Sequence, residues 1–189
     1  ATMYPVWATA AGSSMPLKVS TTKFHFNPSP GQLYTVGLIG TNTNDNAVAG
    51  SVGEALSQQR LRSAPIAMTT ATPIDVTATA LTLTAGDWDI TAMIGFTTGS
   101  LTNIASLTYS ISLTSATLPA SDTTATPTSG GEVRAQSSFG NAGLAFANGS
   151  TFVESIAQYR ISIAGSTTFY LVAQAAFTVA GLSVFGSYR

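Results

Sequence analysis

The chain has 189 residues, of which 44% are hydrophobic and only 8% are charged, so it can form a globular domain with a core. Seven Lys and Arg residues and eight Asp and Glu residues give a net charge of −1. This balance excludes the basic surface with which proteins bind nucleic acid. Zero cysteines and one histidine exclude disulfides, thiol nucleophiles and sites that need two imidazoles. We expect no nucleic-acid partner, no membrane insertion, no cofactor and no metal.

Small hydroxyl and methyl side chains replace the missing charge. The chain contains 29 Thr, 28 Ala and 22 Ser residues. Threonine favours the half-buried surface of a pleated sheet because its branched Cβ restricts χ1. The composition therefore predicts an all-β protein.

The N-terminal 34 residues are predicted to form a segment of their own. A strand is expected over residues 17–26, and residues 27–31 (NPSPG) form a rigid turn because proline cannot sit inside a sheet. The segment is too short to bury its aromatic residues alone, so it needs another surface. We predict two domains, residues 1–34 and residues 35–189.

From residue 35, short strands alternate with turns. Residues 34–40 read as a strand, residues 41–46 as an amide-rich loop, and residues 48–58 as an edge strand or a short helical turn. The clearest pattern is a hairpin. Apolar residues from 74 to 83 lead through a turn at 85–87 into a run with period two, namely Trp88, Ile90, Ala92, Ile94 and Phe96.

The last third repeats this scheme. Strands are predicted at 107–113, 132–137, 144–146, 159–163, 169–177 and 182–188, with a long loop over 115–131 and a tight turn at Asn148-Gly149. This pattern predicts an antiparallel β-sandwich or jelly roll. Residues 169–177 are apolar on both faces, which predicts a third covering surface, most simply another subunit.

Several segments resemble a known protein family. Residues 40–54 (GTNTNDNAVAGSVGE), 81–90 (LTLTAGDWDI) and 167–177 (TTFYLVAQAAF) resemble, in the same order, a domain of tailed-bacteriophage virion proteins. Tyr4-Pro5 and residues 24–29 (FHFNPS) are similar to a short module that precedes the stalk of phage tail fibres. A departure is that residues 31–35 join module and domain directly, without a stalk.

The resemblance implies a homotrimeric, jelly-roll or knob-like β domain displayed on the virion, after assembly in the cytoplasm of the bacterial host. We expect a non-enzymatic small tail fibre or fibre knob that attaches to the host surface. Residues 1–34 would bind a neighbouring tail or capsid protein, with attachment residues Tyr4, Trp7, Phe24 and Phe26. A host-surface glycan or protein would contact loop residues, with candidates Thr97, Ser100, Asn103, Ser121, Asp122, Thr126 and Ser129.

Two other functions compete with this one. The first is a capsid decoration or head-fibre protein that stabilises the capsid. The second is a glycan-degrading tailspike, which needs two carboxylates across a groove, drawn from Asp87, Asp89, Glu54, Glu132 and Glu154.

Several isolated motifs have a structural interpretation as well as a functional one. Asp87 and Asp89 around Trp88 suit an acid pair or a carbohydrate platform, although a solvated pair beside a core indole is the commoner arrangement. The loop at 42–46 has one carboxylate, too few for a typical calcium site. His25 is expected to be the outward residue of a strand, and residues 148–150 (NGS) a hairpin turn rather than a glycosylation sequon.

Overall fold

The computed structural model describes residues 54–99, 102–120, 131–140, 143–178 and 181–189, and the strand backbone at 6–8, 17–19, 24–27 and 32–35. All regular secondary structure in these residues is β-strand, and every strand pair is antiparallel. The predicted all-β, antiparallel fold is confirmed.

The chain divides into two compact units, Ala1–Asp45 and Asn46–Arg189. The first contains two short pairs: β1 (Val6–Ala8) with β2 (Leu17–Val19), and β3 (Phe24–Asn27) with β4 (Gln32–Thr35). Since β2 and β3 have different partners, the single strand predicted over residues 17–26 is wrong. The role of residues 1–34 in attachment, and the boundary at residue 34, stay predictions.

The described residues of the second unit contain eleven strands. In chain order they are β5 (Gln58–Arg60), β6 (Ile66–Ala67), β7 (Ile74–Asp75), β8 (Leu81–Leu83), β9 (Gly86–Thr98), β10 (Thr102–Ser112), β11 (Val133–Ser138), β12 (Leu144–Phe146), β13 (Thr151–Ile163), β14 (Thr167–Thr178) and β15 (Leu182–Tyr188).

These strands form two sheets of a sandwich. The six-stranded sheet has the order β11-β10-β14-β7, with β12 beside β10 and β8 beside β14. The five-stranded sheet has the order β13-β9-β15-β5, with β6 beside β15. Fully buried side chains from both sheets form one core, including Phe96, Ile94, Leu107, Ile111, Phe169, Leu171, Leu182 and Tyr188. The Tyr188 hydroxyl donates a hydrogen bond to the Phe169 carbonyl at 2.8 Å, which ties one sheet to the other.

The alternation predicted for β9 is confirmed. Ile90, Ala92, Ile94 and Phe96 are buried, while Met93 between them is 51% exposed. Since neighbouring side chains of a strand point to opposite faces, this pattern orients the whole strand. The tight turn at 148–149 is also confirmed, because Gly149 has a φ of 75° and the Ser150 N–H bonds to the Ala147 carbonyl at 3.2 Å. The prediction that it is a hairpin turn is wrong, because it joins β12 of the six-stranded sheet to β13 of the five-stranded sheet.

The predicted hairpin between residues 74–83 and β9 is wrong. β8 pairs with β14 in one sheet, whereas β9 pairs with β13 and β15 in the other. The chain crosses between the sheets at residues 84–86. Gly86 makes this crossing with a φ of 145°, and the Trp88 indole N–H donates to the Thr84 carbonyl at 2.9 Å. An alternating pattern fixes the buried face of a strand but not its partner.

A segment of the same chain covers part of the six-stranded sheet. We call residues 115–119 the belt. Aligned side chains cross the outer face of this sheet in one row, in the order Arg134, Ser110, Val172 and Asp75. The belt is attached at both ends of the row. Asp75 accepts hydrogen bonds from the Ser115 hydroxyl at 2.6 Å and the Ala116 N–H at 2.8 Å, and Arg134 donates to the Pro119 carbonyl at 3.3 Å.

The two residues in the middle of that row, Ser110 and Val172, are fully buried. The belt therefore supplies the covering surface for the centre of β14. The centre of β14 is thus buried within a single chain, and a contact of this strand with another subunit stays a prediction.

Candidate ligand-binding cleft

A cleft opens beside the first residues of β9. We call it the Trp88 cleft. It has a volume of about 220 Å³ and is lined by Glu54, Ala55, Leu56, Leu83, Trp88, Asp89, Ile90, Thr91, Gln158 and Arg189. Leu83 and Ile90 are buried and contribute its apolar surface. The cleft thus combines one aromatic side chain with several polar groups.

The indole of Trp88 is held in a fixed position. Trp88 pairs with Ile161 in β13, and its N–H is used by the Thr84 carbonyl at 2.9 Å. The side chain remains half-buried, so part of the ring is accessible to solvent. A fixed and partly exposed aromatic ring is suited to stacking against a flat apolar ligand surface.

The polar groups come from three separate parts of the chain. Glu54 precedes β5, Gln158 lies where the β13–β9 register shifts between Ile156 and Tyr159, and Arg189 follows β15. Arg189 is fixed by two backbone hydrogen bonds to Thr91, of 2.9 and 3.1 Å. The lining therefore combines residues with carboxylate, amide and guanidinium side chains with one aromatic residue, and Asp89 projects from the face of β9 opposite to Trp88. This combination suits a polyhydroxylated ligand.

A second groove, of about 440 Å³, shares Thr91 and Arg189 with the Trp88 cleft. Its other lining residues are Ser57, Gln59, Ala92, Met93, Ser187 and Tyr188. It lies along β9 and β15. The two cavities together give a longer ligand room to extend over the five-stranded sheet.

The acidic residues considered for catalysis are divided among different places. Asp89 and Glu54 line the Trp88 cleft, and Asp87 lies 3.5 Å from the Arg160 guanidinium in an exposed ion pair. Asp87 and Asp89 share one face of β9, and the Trp88 side chain lies on the opposite face because it is an odd step away. The two aspartates therefore do not form a platform with the ring between them.

The carboxylates of Glu132 and Glu154 accept hydrogen bonds that connect parts of the sandwich. Glu132 accepts hydrogen bonds from the Leu113 N–H at 2.8 Å and the Ser112 hydroxyl at 3.2 Å. Glu154 accepts from the Tyr109 hydroxyl at 3.3 Å and the Ser137 hydroxyl at 3.4 Å.

Two tyrosines near these glutamates have a raised pKa. Burial, and then the charge of Glu154, raises the pKa of Tyr109. Burial, and then the charge of Glu132, raises the pKa of Tyr159, whose hydroxyl donates to the Gly131 carbonyl at 2.9 Å. Both phenols stay protonated at neutral pH and serve as hydrogen-bond donors between structural elements.

Two of the predicted receptor-contact residues lie on strands. Thr97 belongs to β9, where its hydroxyl lies 3.3 Å from that of Thr151, and Asn103 belongs to β10, opposite Thr178. Their assignment to a loop is wrong, because pairing with β13 and β14 extends both strands further than their local sequence indicates. Ser100, Ser121, Asp122, Thr126 and Ser129 lie outside the described residues.

The remaining predicted positions lie in the N-terminal part of the chain. Trp7 lies on β1, and Phe24, His25 and Phe26 lie on β3. Tyr4 and the loop at 42–46 lie outside the described residues. Among the residues that the structure describes, no three His, Asp or Glu side chains are grouped to hold a metal ion, and no helix has the length and apolar character needed to cross a membrane.

The sequence pattern identified only part of the cleft. Trp88, Asp89 and Glu54 were singled out as residue types, but Gln158, Thr91 and Arg189 had no signal of their own. A shift in strand register brings Gln158 to the cleft. Such a shift depends on the partner strand, so no local motif could have revealed it.

Comparison with known proteins yields no match to a family model, a curated protein or a solved structure. The resemblance to phage virion proteins stays a prediction.

Proposed function

We propose that this chain is a structural protein of a bacteriophage virion, a small tail fibre or fibre knob that attaches the particle to the host surface without catalysing a reaction. Three features support the proposal: the phage-like blocks at 40–54, 81–90 and 167–177, the all-β sandwich, and the Trp88 cleft. The N-terminal unit would bind the neighbouring virion protein, and the sandwich would form a trimeric knob.

The observation that carries the attachment function is the composition of the Trp88 cleft. Sugars present an apolar face of C–H groups and an edge of hydroxyls, so an aromatic ring beside carboxylate, amide and guanidinium groups recognises both. Its volume of about 220 Å³ is smaller than a typical drug-sized site, which suits one sugar ring. The ligand class is therefore a host-surface glycan.

A site of this size binds weakly, so attachment would depend on several sites acting together. Three copies of the cleft on one trimer would raise the apparent affinity by a factor of about 10² or more when they engage one surface. A virion with several trimers would gain further. The proposal thus needs no single tight site.

The test is the binding of purified full-length chain to host cells and to a glycan array, with Trp88→Ala compared with wild type. We expect Trp88→Ala to weaken binding at least about fivefold, because stacking on an aromatic ring is worth roughly 1–3 kcal/mol. Trp88→Phe should retain most of the binding. Asp87→Asn is a matched control, since Asp87 is exposed and pairs with Arg160 outside the cleft.

The attachment proposal fails if Trp88→Ala binds cells as the wild type does while its unfolding temperature is unchanged. Copy number per virion separates it from capsid decoration. A tail position requires a few to a few tens of copies in multiples of three, whereas decoration requires hundreds.

Glycan cleavage is a second candidate because Glu54 and Asp89 line the same cleft. Glycosidases use two carboxyl groups about 5–9.5 Å apart, one of them a protonated acid kept in a poorly solvated site. Asp89 is exposed, which favours binding over cleavage. Release of reducing ends from host glycans by wild type, and its loss in Glu54→Gln and Asp89→Asn, would establish cleavage instead.

A further inference from the structure

The turn between β12 and β13 contains the one Asn-Gly pair of the sequence, Asn148-Gly149. Both residues are exposed to solvent. The side-chain carbonyl of an asparagine lies within reach of the backbone nitrogen of the next residue, and glycine leaves that nitrogen unhindered because it has no Cβ. No atom of the described residues lies within 4 Å of the position that a Cβ at Gly149 would take. The reacting groups and water therefore have free space at this peptide bond.

An asparagine followed by glycine can convert spontaneously to aspartate. The Gly149 nitrogen attacks the side-chain carbonyl carbon of Asn148, and the new C–N bond closes a five-membered succinimide ring. The side-chain amide nitrogen leaves as ammonia, which takes up the proton lost by the Gly149 nitrogen. Water then opens the ring at either of its two carbonyl carbons, which yields aspartate or isoaspartate. The reaction consumes one water molecule and needs no oxidant, reductant or metal.

The fold engages the attacking nitrogen in a hydrogen bond. The Gly149 N–H donates to the Thr98 carbonyl at 2.8 Å, and the Thr98 N–H donates in turn to the Ser150 carbonyl at 3.0 Å. The two segments are thus joined by a reciprocal pair of bonds. The Gly149 nitrogen must leave its bond before it can lose the proton and turn towards the Asn148 side chain. The reaction therefore proceeds from locally opened forms of the turn.

The Thr98 side chain holds the same turn closed. Its hydroxyl donates to the Ala147 carbonyl at 2.6 Å and lies 3.3 Å from the Ser150 carbonyl. Thr98 is 1% exposed and pairs with Leu182 of β15, so the sheet fixes its position. The hydroxyl therefore contacts the chain on both sides of Asn148-Gly149.

We propose that Asn148 is a site of spontaneous deamidation, and that the Thr98 side chain slows the reaction by holding the turn closed. The product carries one additional negative charge in a chain whose net charge is −1. Isoaspartate also adds a methylene group to the backbone, which displaces the Gly149 N–H from the Thr98 carbonyl. The modification therefore loosens the point where the chain crosses from the six-stranded sheet to the five-stranded sheet.

This proposal goes beyond host attachment and does not depend on it. Neither Thr98 nor the turn lines the Trp88 cleft. Failure of glycan binding in Trp88→Ala therefore leaves the proposal untouched.

The test is incubation of the full-length chain at mildly alkaline pH, followed by peptide mass spectrometry that distinguishes asparagine, aspartate and isoaspartate. Asn103 is the internal reference, because it precedes the branched residue Ile104 and is paired within β10. We expect Asn148 to be converted slowly in folded wild type and faster in the urea-unfolded chain, while Asn103 stays intact in the folded protein.

The variant that tests the role of the side chain is Thr98→Val, which keeps the shape and removes the hydroxyl. We expect it to raise the conversion rate of Asn148 in the folded protein by at least about fivefold, the change in open population when an ordinary hydrogen bond is lost. Thr98→Ser keeps the hydroxyl and should retain the wild-type rate. Thermal unfolding establishes that each variant folds.

The matched control is Thr77→Val. Thr77 is also a buried threonine whose hydroxyl donates to a backbone carbonyl, that of Thr79 at 2.9 Å. It lies beside Tyr188, at the end of β15 opposite to Leu182. This substitution removes an equivalent hydroxyl without releasing the turn, so we expect the wild-type rate of conversion at Asn148.

A measurement on wild type alone supports the variants. When urea is added below the unfolding transition, hydrogen exchange of the Gly149 amide and conversion of Asn148 should rise together, because both require the same opening. Conversion that does not follow the exchange would contradict the role of the closed turn.

Three results overturn the proposal. The first is an Asn148 that stays unconverted even in the unfolded chain, and the second is equal conversion in the folded and unfolded chains. The third is conversion in Thr98→Val at the rate of wild type or of Thr77→Val, because the Thr98 hydroxyl would then have no specific effect on the turn.

Discussion

The two outer faces of the sandwich are completed in different ways. On the six-stranded sheet, the belt is attached to Asp75 at one end and Arg134 at the other, and it buries Ser110 and Val172 beneath it. On the five-stranded sheet, Met93 of β9 and Val153 of β13 are exposed to water on the outer face. One face is covered by a segment of the same chain, and the other leaves apolar side chains exposed.

The difference shows how a protein with few charges can stay specific. Charged residues are used where they attach a segment, as Asp75 does for the belt. Among the described residues, the cross-strand rows of Met93 and Val153 contain no charged side chain. An uncharged face has little preference among apolar partners, so shape and hydroxyl positions must select the partner.

The largest effect is expected where the two sheets share their core. A Cβ atom at Gly186 would lie 2.5 Å from the Met93 carbonyl oxygen, 3.1 Å from the Ile94 Cα and 3.4 Å from Leu171 of the opposite sheet. We expect Gly186→Ala to lower the free energy of unfolding by about 3 kcal/mol, because backbone atoms must move. The loss of stability should extend to both sheets, because Gly186 lies where they meet.

Urea denaturation measures this change. Gly165→Ala is the matched control, because no atom lies within 4 Å of the added Cβ, and we expect its stability within about 0.5 kcal/mol of wild type. Equal stability in the two variants would contradict the close approach of the sheets at Gly186.

A smaller effect is expected from releasing the belt. Asp75→Ala removes the acceptor for Ser115 and Ala116, and hydrogen bonds to a charged group are worth about 1.5–3 kcal/mol each when sheltered. Because these bonds are exposed, we expect a loss of about 1–2 kcal/mol in total. Hydrogen exchange should rise at β7 and β14 beneath the belt and stay unchanged in β9 and β13.

Asp87→Ala is the matched control for this prediction. Its ion pair with Arg160 is exposed on both sides, so we expect a change below about 1 kcal/mol. If Asp75→Ala exchanges its β14 amides as slowly as wild type, the belt does not protect this face.

The smallest expected effect is on a residue whose substitution should not lower the stability. The Ser110 hydroxyl is buried beneath the belt and has no hydrogen-bond partner among the described residues. Since a buried, unpaired hydroxyl is costly, we expect Ser110→Ala to leave stability unchanged or raise it by up to about 1 kcal/mol.

Ser112→Ala provides the comparison, two residues further along β10. The Ser112 hydroxyl bonds to the Thr114 backbone at 3.1 Å and lies 3.2 Å from Glu132, so its removal should cost about 1 kcal/mol. Thermal unfolding of both variants measures the difference. A loss of stability in Ser110→Ala equal to that in Ser112→Ala would mean that the Ser110 hydroxyl has a partner.

The sequence was sufficient to predict what depends on local pattern. Alternation in β9 identified its buried residues, and the bounds of β12 and β15 and the turn at Gly149 followed from local residue types. Pairing between distant strands could not be predicted in this way. The hairpin through Gly86 was wrong because β8 and β9 join different sheets, and local periodicity contains no information about the partner.

The belt and the Trp88 cleft could not be predicted for the same reason. The loop at 115–131 has the composition of an exposed connection, yet Asp75, 40 residues away from Ser115 in sequence, holds part of it against the sheet. Trp88 stood out as a residue type, whereas Gln158 and Arg189 reach the cleft only through the register of β13 and β15.

The most direct test of the contrast between the two faces is oxidation of Met93 in the wild-type, full-length protein by dilute hydrogen peroxide, followed by mass spectrometry. Met93 is 51% exposed on a single chain and Met68 only 8%, so Met68 is an internal reference. The account predicts that Met93 is oxidised several-fold faster than Met68, because the outer face of the five-stranded sheet leaves Met93 exposed to water. Equal oxidation rates of Met93 and Met68 would contradict it.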